Sequence, residues 1–159
     1  MIPAQWDAVT PSRLCTVIEN ADGISVSTIE HIMAALAGFA IHNALIEIDG
    51  PEVPILDGSA VPFIEGFLDA GIEEQDLPVR AVRILKPVEV REGVKFARLS
   101  PGKGFEMRVA IDFSSKAIGR QTISFAMQPG AFARDVAWAR TFGFLKEVEA
   151  LRAMGKARG

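Results

Sequence analysis

The hydrophobic period of this chain changes along its length, and that change limits its fold more than any other feature. From Thr28 the apolar residues Ile29, Ile32, Met33 and Leu36 recur at the i, i+3, i+4, i+7 spacing of one helical face, which predicts a helix over about 28–38 with Gly38 weakening its last turn. Before it, Arg13–Glu19 and Ile24–Ser27 read as short strands joined at Ala21-Asp22-Gly23, because Asp-Gly supplies turn chemistry between two apolar runs. After it, Ala44–Asp49 alternates, with Ile46 and Ile48 on one face and Glu47 and Asp49 on the other, until Gly50-Pro51 stops the strand. Ser59 is placed to cap a second helix running to about Ala70, with Pro62 tolerated in its first turn and Gly71 as its stop.

Beyond Gly71 the period becomes almost wholly two. Glu73–Val79 is acidic, polar and ends near Pro78, the composition of an interdomain linker, which divides the chain into domains at 1–76 and 79–159. Ala81–Leu85, Val88–Arg91, Lys95–Leu99, Phe105–Asp112 and Gln121–Ala126 then alternate between turns at Glu92-Gly93 and Pro101–Gly104, and an antiparallel meander is the simplest arrangement for them. Leu145, Val148, Leu151 and Arg152 share one face of a final helix ending at Gly155. The expected fold class is therefore α+β.

Composition excludes several kinds of function. A chain of 159 residues, 49% hydrophobic with net charge −3 and no long like-charge run, is globular and gives no electrostatic reason to bind nucleic acid or an anionic membrane. The longest uncharged apolar stretch, Ile32–Ile41, is too short for a transmembrane helix, and the N-terminus has neither the basic nor the apolar region of a secretory signal. A cytoplasmic location is expected, in keeping with the single cysteine, Cys15, placed in an apolar strand as a buried structural thiol.

Metal or general-base chemistry must use His31 or His42, the two histidines of the chain. Ser27-Thr28-Ile29-Glu30 fits a capping box, so by themselves these residues favour Glu30 as a helix cap and His31 as its polar neighbour. The alternative is that Glu30 and His31, about 100° apart around the helix, divide the work of a metal site: one binds the ion and the other handles its water. No His-Glu-x-x-His, His-x-x-x-Asp or cysteine pair occurs, and His42 is expected at a strand entrance. Gly102 and Gly104 belong to a hairpin turn and make no phosphate loop, since no helix start with Lys-Ser or Lys-Thr follows.

Three strings, Val26–Gly38 (VSTIEHIMAALAG), Pro51–Ala60 (PEVPILDGSA) and Ala139–Phe144 (ARTFGF), with Arg13-Leu14-Cys15-Thr16 before them, closely resemble the UDP-3-O-acyl-N-acetylglucosamine deacetylase (LpxC) family, and the likeness extends from Ile2 to Gly159. The resemblance implies a zinc metalloamidase of Gram-negative bacteria that removes acetate from UDP-3-O-acyl-N-acetylglucosamine, the committed step of lipid A biosynthesis. It implies two α+β domains of sheet packed on helices with the active site between them. It makes His31 a zinc ligand and Glu30 the general base, and puts Thr141 beside the oxyanion. Phe142 would line the cleft, Asp112 and Phe113 would meet the nucleotide, Lys95 the diphosphate, and Leu14 and Cys15 would border the acyl-chain entrance. Without it, Phe113 and Phe142 read as core aromatics, Asp112 as a strand-end cap and Lys95 as an edge charge.

Members of that family are about twice as long, and their His-x-x-x-Asp pair and further acid histidine have no counterpart in this sequence. The chain is therefore expected to hold parts of both domains, to be inactive alone, and to have as its candidate protein partner a complementary C-terminal half. A non-catalytic module that binds a UDP-sugar, an acyl carrier or another subunit is the second hypothesis.

Overall fold

The computed structural model describes residues 1–153 and 155. Helices and antiparallel strands are mixed along the chain, so the α+β class holds. Contacts group the residues into two compact units, Met1–Glu74 together with the chain from Phe132, and Gln75–Ala131.

In the first unit a three-stranded antiparallel sheet is formed by β1 (Val9–Thr10), β2 (Val17–Glu19) and β3 (Ser25–Val26), with Ile18 facing Val9 on one side and Val26 on the other. The expected hairpin between the last two is present. Asn20 closes it by accepting from the amides of Asp22 and Ile24 through its side-chain oxygen, and Gly23 takes φ +76°, a value that favours glycine. The first of the expected strands is shorter than its sequence suggested: residues 13–15 form a bend, and Cys15 lies half-buried there with its Sγ 3.4 Å from the Ser12 hydroxyl, outside any strand.

Helix α1 (Glu30–Gly38) and helix α2 (Val61–Ala70) pack against each other in this unit. Ile18, Ile29 and Val53 form a buried cluster joined by Ile2, Ala8, Val26, Ile32, Met33 and Phe63, so the helical face read from the sequence is the one buried. α2 begins at Val61 with Ala60 as its N-cap residue, one residue later than expected. The Ser59 hydroxyl nevertheless accepts from the Val61 amide at 3.2 Å, and Gly71 at φ +81° ends the helix by donating to the Phe67 carbonyl.

The expected strand over 44–49 is absent. Those residues are exposed and pair with no strand among the described residues, so their alternating pattern has no second edge to complete a ladder. A π-turn over Phe132–Val136, with no counterpart in the sequence analysis, buries Phe132 and precedes α3 (Leu145–Ala153).

The second unit holds two separate hairpins in place of one meander. β4 (Val88–Glu92) pairs with β5 (Lys95–Leu99), and β6 (Glu106–Asp112) pairs with β7 (Arg120–Ala126), while Ala81–Leu85 forms no strand. Each hairpin is closed by local turns, but no backbone ladder joins β5 to β6. Across the first hairpin the Arg91 guanidinium stands 5.0 Å from the centre of the Phe96 ring, its register partner.

Candidate functional site

Glu30 and His31 open the first turn of α1, and the way the chain enters that helix differs from the expected capping box. Ile29, in helical conformation, is the N-cap residue, and among the described residues no side chain caps the helix. The Ser27 hydroxyl instead donates to the Pro51 carbonyl at 3.3 Å. The Glu30 carboxylate turns away from Ser27 and accepts, through Oε2, the backbone N–H of Thr16 at 2.9 Å. A carboxylate accepting an amide at a helix N-terminus is favoured both by the hydrogen bond and by the positive end of the helix dipole. The interaction joins two segments remote in sequence and half-buries the carboxylate.

The entry is locked from the other side by the segment around Glu52. The Ser27 amide donates to Pro51 O and the Val53 amide to Ser27 O, both at 3.0 Å, making a short parallel bridge. Between these bonds the buried Thr28 hydroxyl donates to Glu52 Oε1 at 2.6 Å. Thr28 itself has φ +60°. A β-branched residue in the left-handed region is strained by about 1–3 kcal/mol and persists only where its surroundings over-determine it. Neither the strain nor its Glu52 partner has a sequence signature, because threonine is not a residue type that announces a left-handed turn.

His31 is half-buried, and its side chain makes no hydrogen bond among the described residues. Also among the described residues, no group of three or more His, Cys, Asp or Glu converges as a metal site. A catalytic zinc takes three protein ligands and keeps one position open. One imidazole falls short of that set, so these residues by themselves do not make a zinc site. His42 is exposed in the irregular segment after α1, not at the strand entrance expected for it.

Thr141 is exposed and held by a turn in the same unit. Its amide donates to Gly58 O at 2.9 Å, and its Cγ2 would lie 3.4 Å from a Cβ on Gly58, which has φ +84°. Asp57 completes this clamp: Oδ1 accepts from the Ser59 hydroxyl at 2.7 Å and the Ser59 amide at 2.9 Å, and Oδ2 from Arg140 Nη2 at 3.3 Å. The Ser59 hydroxyl, then its amide and more weakly Arg140, hold the Asp57 carboxyl below the usual aspartate range. Asp57, Ser59, Val61, Trp138 and Arg140 line a shallow depression of about 450 Å³ beside it. The turn at Asp57-Gly58-Ser59 was legible in the sequence, whereas its grip on residues 140–141 was not.

Of the other expected site residues, Leu14 is exposed on the bend beside Cys15, and Phe142 is exposed next to Thr141, both in the first unit. Lys95, Asp112 and Phe113 belong to the second unit. Lys95 faces Glu92 at the closed end of the β4–β5 hairpin. Asp112 ends β6 opposite Arg120, and Phe113 follows it, half-buried, with its amide donating to Gly119 O at 3.0 Å.

A family model described as UDP-3-O-acyl N-acetylglycosamine deacetylase matches residues 1–159. The UDP-3-O-acyl-N-acetylglucosamine deacetylase of Phenylobacterium zucineum is 54% identical over 153 residues, covering 96% of this chain and 52% of the relative. Those of Histophilus somni and Shewanella oneidensis are each 46% identical over 99% of the chain and 52% of their own lengths. The chain thus spans about half the length of the curated relatives it matches.

Proposed function

The chain belongs to the UDP-3-O-acyl N-acetylglycosamine deacetylase family, and from that premise we propose that it supplies the base-bearing part of an amide hydrolase acting on UDP-3-O-acyl-N-acetylglucosamine. In this reading Glu30 is the general base. It removes a proton from the attacking water as the new C–O bond forms at the acetyl carbon. The C–N bond then breaks, acetate leaves and the sugar nitrogen takes up a proton. The observation that carries the proposal is the anchoring of one Glu30 carboxylate oxygen by the Thr16 amide, which leaves the other oxygen available to a water molecule. A base must be held in place before it can be matched to its proton, and the 2.9 Å bond does that.

Thr141 is proposed as the donor beside the oxyanion, held by the Asp57–Ser59 turn, with Phe142 lining the cleft. Leu14 and Cys15 border the acyl-chain entrance, Asp112 and Phe113 meet the nucleotide, and Lys95 meets the diphosphate. Zinc is the cofactor this reading calls for, with His31 as one ligand. Because a single imidazole cannot hold a catalytic zinc, the 159-residue chain is proposed to be inactive by itself and to need the remaining ligands from a complementary C-terminal part.

Reconstitution tests this directly. The chain is assayed for acetate release with zinc, alone and mixed with the part of the Phenylobacterium relative that it does not cover. Activity is expected in the mixture and to be lost with Glu30→Gln. Turnover by the chain alone at the level of the intact relative overturns the proposed dependence on a complement. Substrate binding without turnover in either sample favours a non-catalytic binding module.

A further inference from the structure

We infer that Glu52 is a positioning residue for Glu30, acting through Thr28. The inference deepens the reading above, in which Glu30 is the base, and concerns a residue outside the set proposed to touch substrate or metal.

The chain must reverse direction between the Ser27 bridge and the first turn of α1. It does so at Thr28, where φ is +60°. Glycine would adopt that conformation freely, and threonine does not. What holds it is chemical: the Thr28 hydroxyl is buried and donates to Glu52 Oε1 at 2.6 Å, while the Ser27–Pro51 and Val53–Ser27 backbone bonds fix the two segments side by side. Two residues later Glu30 reaches Thr16, and between them the Ile29 amide donates to Thr16 O at 3.4 Å. The direction in which Glu30 leaves the turn is therefore set at Thr28. If Thr28 relaxes to negative φ, the start of α1 rotates and the carboxylate moves off the Thr16 amide. Glu52 is exposed at the surface, so a substitution there removes the hydrogen bond without opening the buried Ile18–Ile29–Val53 cluster.

The experiment is amide hydrogen exchange by NMR on the 159-residue chain, which needs neither substrate nor metal. In Glu52→Ala the Thr16 amide is expected to exchange about tenfold faster while the Ile64 amide in α2 changes by less than about twofold, the pattern of local opening. Glu52→Gln keeps an oxygen that accepts from Thr28, and is expected to restore slow exchange at Thr16. Thr28→Val, which keeps the β-branch and so the strain at φ +60° but has no hydroxyl, is expected to resemble Glu52→Ala at Thr16. The inference is overturned if Thr16 exchange stays within about twofold in Glu52→Ala, if Glu52→Gln behaves as Glu52→Ala does, or if exchange rises equally at Thr16 and Ile64, which is a global loss of stability. The catalytic role of Glu30 is judged separately by the reconstituted activity, so either idea can fail without the other.

Discussion

The ring of Phe132 occupies the space that a Cβ on Gly38 would need. The last turn of α1 therefore lies directly on the π-turn that begins at Phe132, and glycine is what permits the approach. Gly38→Ala is expected to force the ring or the helix to move, costing about 1–3 kcal/mol as overpacking does. Urea denaturation measures it. The same substitution made in a Phe132→Ala background should cost less, with a coupling of about 1 kcal/mol between the two sites. Equal costs in both backgrounds would show that the ring is not what excludes the methyl group.

Two substitutions of Glu30 test its proposed chemical role apart from its part in stability. Glu30→Ala removes the acceptor of the Thr16 amide and is expected to destabilise the chain by about 1.5–3 kcal/mol, as for a hydrogen bond to a charged group. Glu30→Gln retains an oxygen that accepts from Thr16 and should melt within about 1 kcal/mol of the parent. In the reconstituted enzyme the glutamine variant should lose acetate release by about 10²–10⁴-fold, the size of a general-base contribution. A glutamine variant that hydrolyses substrate normally would remove Glu30 from the mechanism.

Much of the first unit was legible because its signals are local. The Ala21–Gly23 turn, the apolar stripe of α1 and the Gly71 stop each rest on a few neighbouring residues, and each stands where the sequence put it. The failures have a common cause in long-range pairing. Ser27-Thr28-Ile29-Glu30 has the pattern of a reciprocal cap, but Pro51 takes the serine hydroxyl and Thr16 takes the carboxylate, and both partners are distant in sequence. Likewise β4 to β7 alternate alike, and nothing in their alternation specifies that they pair as two hairpins and not as one sheet. Gly38 read as a weak point of a helix, because its actual constraint, Phe132, lies on an element that leaves no periodic trace.

Asp57 gives the clamp on Thr141 a pH dependence of known sign. Its carboxyl is held below the ordinary 3.8 of an aspartate, mainly by the two Ser59 donors and then by Arg140. A carboxyl that is more acidic in the folded state binds fewer protons there than when unfolded. Its contribution to stability is therefore fully present above 3.8 and is lost as pH falls through the depressed folded value. Carboxyl NMR titration should place the Asp57 midpoint below 3.8, and Ser59→Ala should raise it more than Arg140→Met does, because the serine bonds are the larger cause. The acid limb of a urea-midpoint profile should flatten in Asp57→Asn. A larger shift from the arginine variant would mean that the ion pair, and not the turn, sets this carboxyl.

The unpaired segment 44–49 should govern how the isolated chain behaves in solution. Leu45 is 72% exposed and Ile46 and Ile48 are 43% and 37% exposed, on backbone that forms no ladder among the described residues. Alternating apolar residues on an exposed segment that pairs with no strand among the described residues offer an apolar face and open backbone groups to a second copy. Sedimentation velocity is therefore expected to show association that increases with protein concentration. Ile46→Lys and Ile48→Lys put charge on the exposed face without touching the buried cluster around Ile18, and should shift the population toward monomer while leaving the urea midpoint within about 0.5 kcal/mol. If the lysine variants associate as strongly as the parent, the contact lies elsewhere. The exposed Val90 and Phe96 of the β4–β5 hairpin are then the next residues to change.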